Sequence, residues 1–176
     1  MRIPRSPAFP LVMILAGIAF MPATVAAKEQ AADVTVSQTI PFAENSGANS
    51  TVKAECQIQT RLPEFIKSFA KDDPQVVLTA DPIDQVKGRV LILEIVSVVG
   101  AGGGAWTGPK SVTVKGELWE DGKVIGSFTA SRYSGGGAFG AYKGTCSIFG
   151  RCVKVLGEDI AAWLKSPRMN AMLGNA

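Results

Sequence analysis

Few residues of this chain can do chemistry, and the first group stands in the stretch VSVVGAGGGAW, residues 96–106. Gly100, Gly102 and Ala105 match the G-x-G-x-x-G/A spacing that opens a dinucleotide-binding loop. Such a site needs a strand, a glycine turn and then a helix whose N-terminus receives the pyrophosphate. Here the glycines run into Trp106-Thr107-Gly108-Pro109 and then into a second strand-like segment. With no helix to supply the dipole, the stretch reads as a loop whose backbone needs positive φ or close approach. GAYKGT, residues 140–145, resembles a phosphate loop but lacks its Gly-Lys-Ser/Thr ending. No cofactor is expected at either place.

The remaining candidates are fewer still. The chain contains no histidine, which removes the commonest general base and metal ligand. Ser-His-Asp and Cys-His nucleophiles are excluded, and zinc would have to use cysteines or carboxylates alone. Glu94 lies mid-strand and Glu117 alternates outward on a hairpin. Neither has an acid–base mate in view, so both read as solvated or paired strand residues. The expectation is a protein that is not an enzyme, with a carboxylate-dependent enzyme as the rival class.

Three cysteines, Cys56, Cys146 and Cys152, cannot all pair within one chain. The expected bridge is Cys146–Cys152, close in sequence around the start of the last helix. It requires Cys146 to lie outside that helix and fold back over its first turns. Cys56 with either of the other two is the rival pairing, and a three-cysteine metal site is a third.

The ends set the compartment. Arg2 and Arg5 precede the apolar run Leu11 to Phe20, and Val25-Ala26-Ala27 supplies small residues for a signal peptidase. The run is short for a bilayer span, so residues 1–27 read as a cleavable export signal, with cleavage after Ala27. No cysteine follows for lipid attachment. The mature chain, Lys28 to Ala176, carries 16 Lys and Arg against 15 Asp and Glu, a net charge of +1. That is no footprint for nucleic acid. No second run reaches spanning length, so no stable membrane span is expected after cleavage. Localisation is expected to be periplasmic or secreted, where disulfides persist.

The elements that must position these residues follow from periodicity. Asp33 to Phe42 alternates as a strand, and Ala43 to Ser50 is a loop. Residues 52–59 alternate like a strand, but Ile58, Leu62, Phe65, Ile66 and Phe69 form a helical stripe. A helix from about Arg61 to Lys71 is predicted, with Pro63 in its first turn, or an earlier start with a kink. Gln75 to Ala80 is a short strand. Gly88 to Gly100, apolar on both faces, is predicted as the central strand. Lys110 to Tyr133 is a hairpin turning at Asp121-Gly122, a type I′ signal. Phe149, Cys152, Val153, Leu156, Ile160, Trp163 and Leu164 stripe a closing helix that Pro167 ends. Residues 167–176 form a tail with no assigned element.

This order, β-α-β-β-β-β-α, predicts an α+β two-layer sandwich over residues 28–166, a mostly antiparallel sheet with helices on one face. The hairpin topology brings both glycine-rich loops and the last helix's N-terminus to one edge. Trp106, Lys110, Tyr133, Gly135, Gly136, Gly137, Tyr142 and Lys143 are therefore the candidate contacts for a ligand or partner. Lys143 and Arg151 beside a helix N-terminus oppose its dipole, and a bound anion would reverse that penalty; simple solvation is the plainer account.

From Arg89 to Pro167 the chain resembles a domain-of-unknown-function family of exported proteobacterial proteins. The marks are the hairpin with its Gly-Lys turn, the GGGAFG loop and the closing amphipathic helix. The resemblance implies a small α/β sandwich and no activity. The functional expectation is an exported, non-enzymatic protein binding an envelope protein partner or a small anionic ligand at the glycine-rich edge. The alternative is a structural subunit of an envelope assembly.

Overall fold

The computed structural model describes residues 33–71, 73–100, 109–135 and 144–175. It is an α+β fold: a six-stranded mixed sheet with two helices packed against it. The strands are β1 (Val34–Ser37), β2 (Val76–Thr79), β3 (Arg89–Val99), β4 (Lys110–Glu120), β5 (Lys123–Ser134) and β6 (Ala171–Gly174). The helices are α1 (Ile58–Ala70) and α2 (Thr145–Leu164). The sheet order is β2-β1-β3-β4-β5-β6. Its long central strands, β3, β4 and β5, are antiparallel. The short flanking strands pair parallel, β1 with both β2 and β3, and β6 with β5.

Period-two patterning assigns the faces. Leu91, Leu93 and Ile95 of β3 and Val112, Val114 and Leu118 of β4 are buried with Phe149, Cys152, Val153, Leu156 and Ile160 of α2. An irregularity in β3 between Ile95 and Ser97 resets the alternation, so Val98 returns to the same core. The two helices touch at a small residue: a Cβ on Gly157 would meet the Phe65 side chain and the Ile66 nitrogen at 3.1 Å. Asp121 and Gly122 both have positive φ (49° and 77°), as the type I′ turn requires.

Three expectations change. The segment read as ambiguous strand, Val52–Cys56, is a π-helical turn, closed by Gln57 in the left-handed region. Helix α1 then starts at Ile58, so Pro63 lies inside it rather than in its first turn. The tail contributes β6, whose edge pairing begins at Phe128↔Ala171. Four residues are too few to show a periodicity.

The cysteine pairing is the main correction. Cys56 bonds Cys146, with Cα atoms 4.6 Å apart, and Cys152 is a buried free thiol. The expected Cys146–Cys152 bridge fails because α2 begins at Thr145, which makes both residues helical. Six residues along a helix turn the side chain by about 240° and advance it about 9 Å. The two sulfurs therefore face apart, and Cys146 faces the end of the π-helical turn.

Candidate functional site

Among the described residues the helices cover one face of the sheet and leave the other open. Cross-strand register places Val77, Thr35, Val90 and Trp119 in one row across it, with Ile92 and Glu117 paired in the next. Farther along, the face turns polar: Glu94 opposes Lys115, and the Thr113 and Ser131 hydroxyls lie 3.0 Å apart. Val77 and Ile92 are 40% and 38% exposed. Residues of these types ordinarily seek cover.

Partial cover comes from the β2–β3 connection. Its short 3-10 turn, Ile83–Gln85, and Val86 stand beside β3. Between them and the sheet lies a cleft of ≈ 560 Å³. Ile83, Val86, Val90, Ile92 and Trp119 supply its apolar lining; Asp84, Lys87 and Asp121 are its charged residues. The Trp119 Nε1–H donates to Glu117 Oε2 at 3.1 Å, which fixes the ring. Half-buried, with one tethered edge, it is an aromatic wall of the kind ligand sites use. A second cavity of ≈ 330 Å³, more polar, lies between Lys115, Glu117, Ser127, Thr129 and Asn170.

The glycine-rich edge is built as the hairpin implies. Val99 pairs with Ser111, and Lys110 with Ser134, so the chain leaves and re-enters both loops at one end of the sheet. Trp106, Gly136, Gly137, Tyr142 and Lys143 lie outside the described residues. Gly135 is exposed, and Tyr133 is 64% exposed on the open face. Lys110 differs from expectation. It is 1% exposed, and its Nζ donates to the Gly100 carbonyl at 2.6 Å and sits 5.8 Å from the Phe149 ring centroid. Its position on β4 alternates with Val112 and Val114, so its side chain points under the helices. This cation closes the loop's base and is not available at the rim.

The carboxylates weighed as catalysts, Glu94 and Glu117, are diagonal neighbours on the open face, each beside another group. Glu94 sits across from Lys115, and Glu117 holds Trp119. Cys152 is walled in: its Sγ donates to the Lys110 carbonyl at 3.6 Å, and burial pushes the thiol up to about 11. A thiol so placed is a poor nucleophile. Among the described residues no cluster of three His, Cys, Asp or Glu could hold a metal ion, and no helix is long and apolar enough to cross a membrane.

Sequence reasoning missed the cleft. Its signal was present in Val90 and Ile92, apolar on the face that Glu94 shares, and in Trp119 on the wet side of a hairpin. Apolar residues on both faces of β3 signal a central strand, and β3 is central. They also mark a patch that, among the described residues, only part of a loop covers.

No family model matches the chain, and no curated protein matches it in sequence. Solved structures to which this chain is similar include the PelC dodecamer of Paraburkholderia phytofirmans, with a TM-score of 0.45 and 16% identity over 72% of this chain and 86% of that one. A DUF330 protein of Xanthomonas campestris has a TM-score of 0.42 and 12% identity, covering 76% and 84% of the two chains. A homologue of neuraminyllactose-binding hemagglutinin from Helicobacter pylori has a TM-score of 0.45 and 11% identity, covering 79% and 85%. Likeness at this level concerns chain path and carries no functional argument.

Proposed function

We propose that this is an exported, non-enzymatic binding protein whose ligand seats in the cleft on the open sheet face. The observation that carries the reading is the cleft itself: five apolar side chains, one a tethered tryptophan, around a volume typical of small-molecule sites. Export is supported by the basic and apolar N-terminal sequence and by the Cys56–Cys146 bridge, which belongs in an oxidising compartment. The non-enzymatic reading draws on Glu94 standing opposite Lys115, on Glu117 being held by the Trp119 N–H, and on the burial that keeps the Cys152 thiol protonated.

The test is a neutral solvatochromic dye, Nile red, added to the processed protein. The expected result is a blue-shifted emission that Ile92→Glu abolishes while circular dichroism stays unchanged. No shift with the wild type, or a shift that Ile92→Glu leaves intact, overturns the cleft as the site. Turnover of a hydrolase substrate that Glu117→Gln removes would overturn the non-enzymatic reading.

A second reading keeps the glycine-rich edge as a surface for an envelope protein. Val99 and Tyr133, 55% and 64% exposed, flank Ser111 on the open face at that edge. Tyr133→Ala should then lose a partner in periplasmic capture that Ile92→Glu retains.

A further inference from the structure

The cleft has a chemical bias as well as a shape. Its floor is aliphatic, from Val90 and Ile92, and its wall carries Ile83 and Val86. The charged groups around it are unequal. Asp84 comes from the 3-10 turn and Asp121 from the β4–β5 turn, so two separate elements each bring one carboxylate. Neither makes an ion pair among the described residues. Among the described residues Lys87 is the one cation of the lining; Lys123, in the same turn as Asp121, does not line it. The indole of Trp119 adds a third attraction for positive charge. Its N–H donates to the Glu117 carboxylate, which makes the indole more electron-rich, and cations are drawn to the face of such a ring.

We infer that the cleft takes an amphiphile with one cationic head group, an alkyl- or arylammonium, its apolar part on the β3–β4 floor and its charge near Asp84, Asp121 and the Trp119 face. The inference rests on the open-face cleft being the ligand site. An anionic amphiphile of the same length would fill the same floor but meet two carboxylates against one ammonium.

The experiment compares decyltrimethylammonium with decyl sulfate, both below their micellar concentrations, by calorimetric titration into the processed protein. The ammonium should bind about tenfold tighter in low salt. The preference should shrink toward parity in 1 M NaCl, where the screening length is about 3 Å. Shortening the chain by one methylene should weaken binding about fourfold in either salt, the apolar contribution. Asp84→Asn with Asp121→Asn leaves Lys87 as the charge of the described lining and should reverse the preference in favour of the sulfate, and Lys87→Gln should widen the gap.

Each outcome decides something different. Equal affinities, or tighter sulfate, overturn the cationic ligand class, while a Nile red shift that Ile92→Glu removes still upholds the cleft. Failure of both amphiphiles together with a silent dye overturns the cleft and this inference with it. Both aspartates are exposed, so loss of fold in the double Asn variant is not expected; circular dichroism of that variant confirms it before titration.

Discussion

The backbone N–H of Ile40 donates to the carbonyl of Gln59 at 3.0 Å. That carbonyl is the acceptor that Pro63, four residues on and lacking an N–H, leaves vacant inside α1. The helix tolerates its proline because the chain leaving β1 takes up the orphaned bond. Pro63→Ala should therefore gain little. Removing a proline from an ordinary helix interior returns about 3 kcal/mol. Here the new N–H would compete with Ile40, and a buried ring would be lost. We expect a change within about 1 kcal/mol, measured by urea denaturation.

The Cys56–Cys146 bridge ties the π-helical turn to the first turn of α2 across 90 residues of sequence. On the chain-entropy account, a loop of that length stabilises by about 4–5 kcal/mol. Cys146→Ala should lower the unfolding free energy by roughly that amount. Non-reducing peptide mapping of the wild type should recover a Cys56–Cys146 crosslink and a Cys152 peptide that takes label only after unfolding.

Cys152 makes the chain sensitive to alkali. Burial raises its thiol from the ordinary 9.0 to about 11. Above pH 9 the unfolded chain gives up this proton first, so the folded state holds more protons. Stability from this group is full below about pH 9 and falls as pH rises toward 11. The loss should reach about 2–3 kcal/mol. Cys152→Ala, compared with wild type at pH 8 and pH 10.5, should flatten that part of the profile.

Lys110 and Tyr133 separate framework from surface. Lys110→Glu would place a carboxylate against the Gly100 carbonyl and the Phe149 ring, and should cost about 3–5 kcal/mol or prevent folding. Tyr133→Ala should stay within about 0.5 kcal/mol of wild type. Thermal melts of the two variants check the contrast directly.

Much of the scaffold was legible because its signals are local. Alternation in β3, β4 and β5, the Asp121-Gly122 turn and the stripe of α2 each fit within one element. The disulfide was not legible in this way. It depends on whether α2 starts before or after Cys146, a boundary of one or two residues, and on where the turn at Val52–Cys56 ends. Lys110 was misjudged because a charged residue at a strand's first position reads as rim. Its register beneath α2 is a tertiary fact. The cleft was hidden for a related reason: half of its lining comes from the β2–β3 connection, where Ile83 and Val86 show no period that ties them to β3.

The place of β1 in the sheet also bears on the order in which the chain can be completed. It is among the first segments of the described chain to emerge, yet it lies inside the sheet, between β2 and β3. One of its edges is satisfied once Val76–Thr79 has appeared; the other waits for Arg89–Leu91. Until then the β1-α1-β2 unit carries an open strand edge and an uncovered apolar helix flank, the features that recruit stray strands. A chain delivered from its N-terminus is therefore most exposed to mispairing during the interval that ends when β3 arrives. The Ile40–Gln59 bond, made wholly within the earlier segment, can hold the exit of β1 in place through that interval.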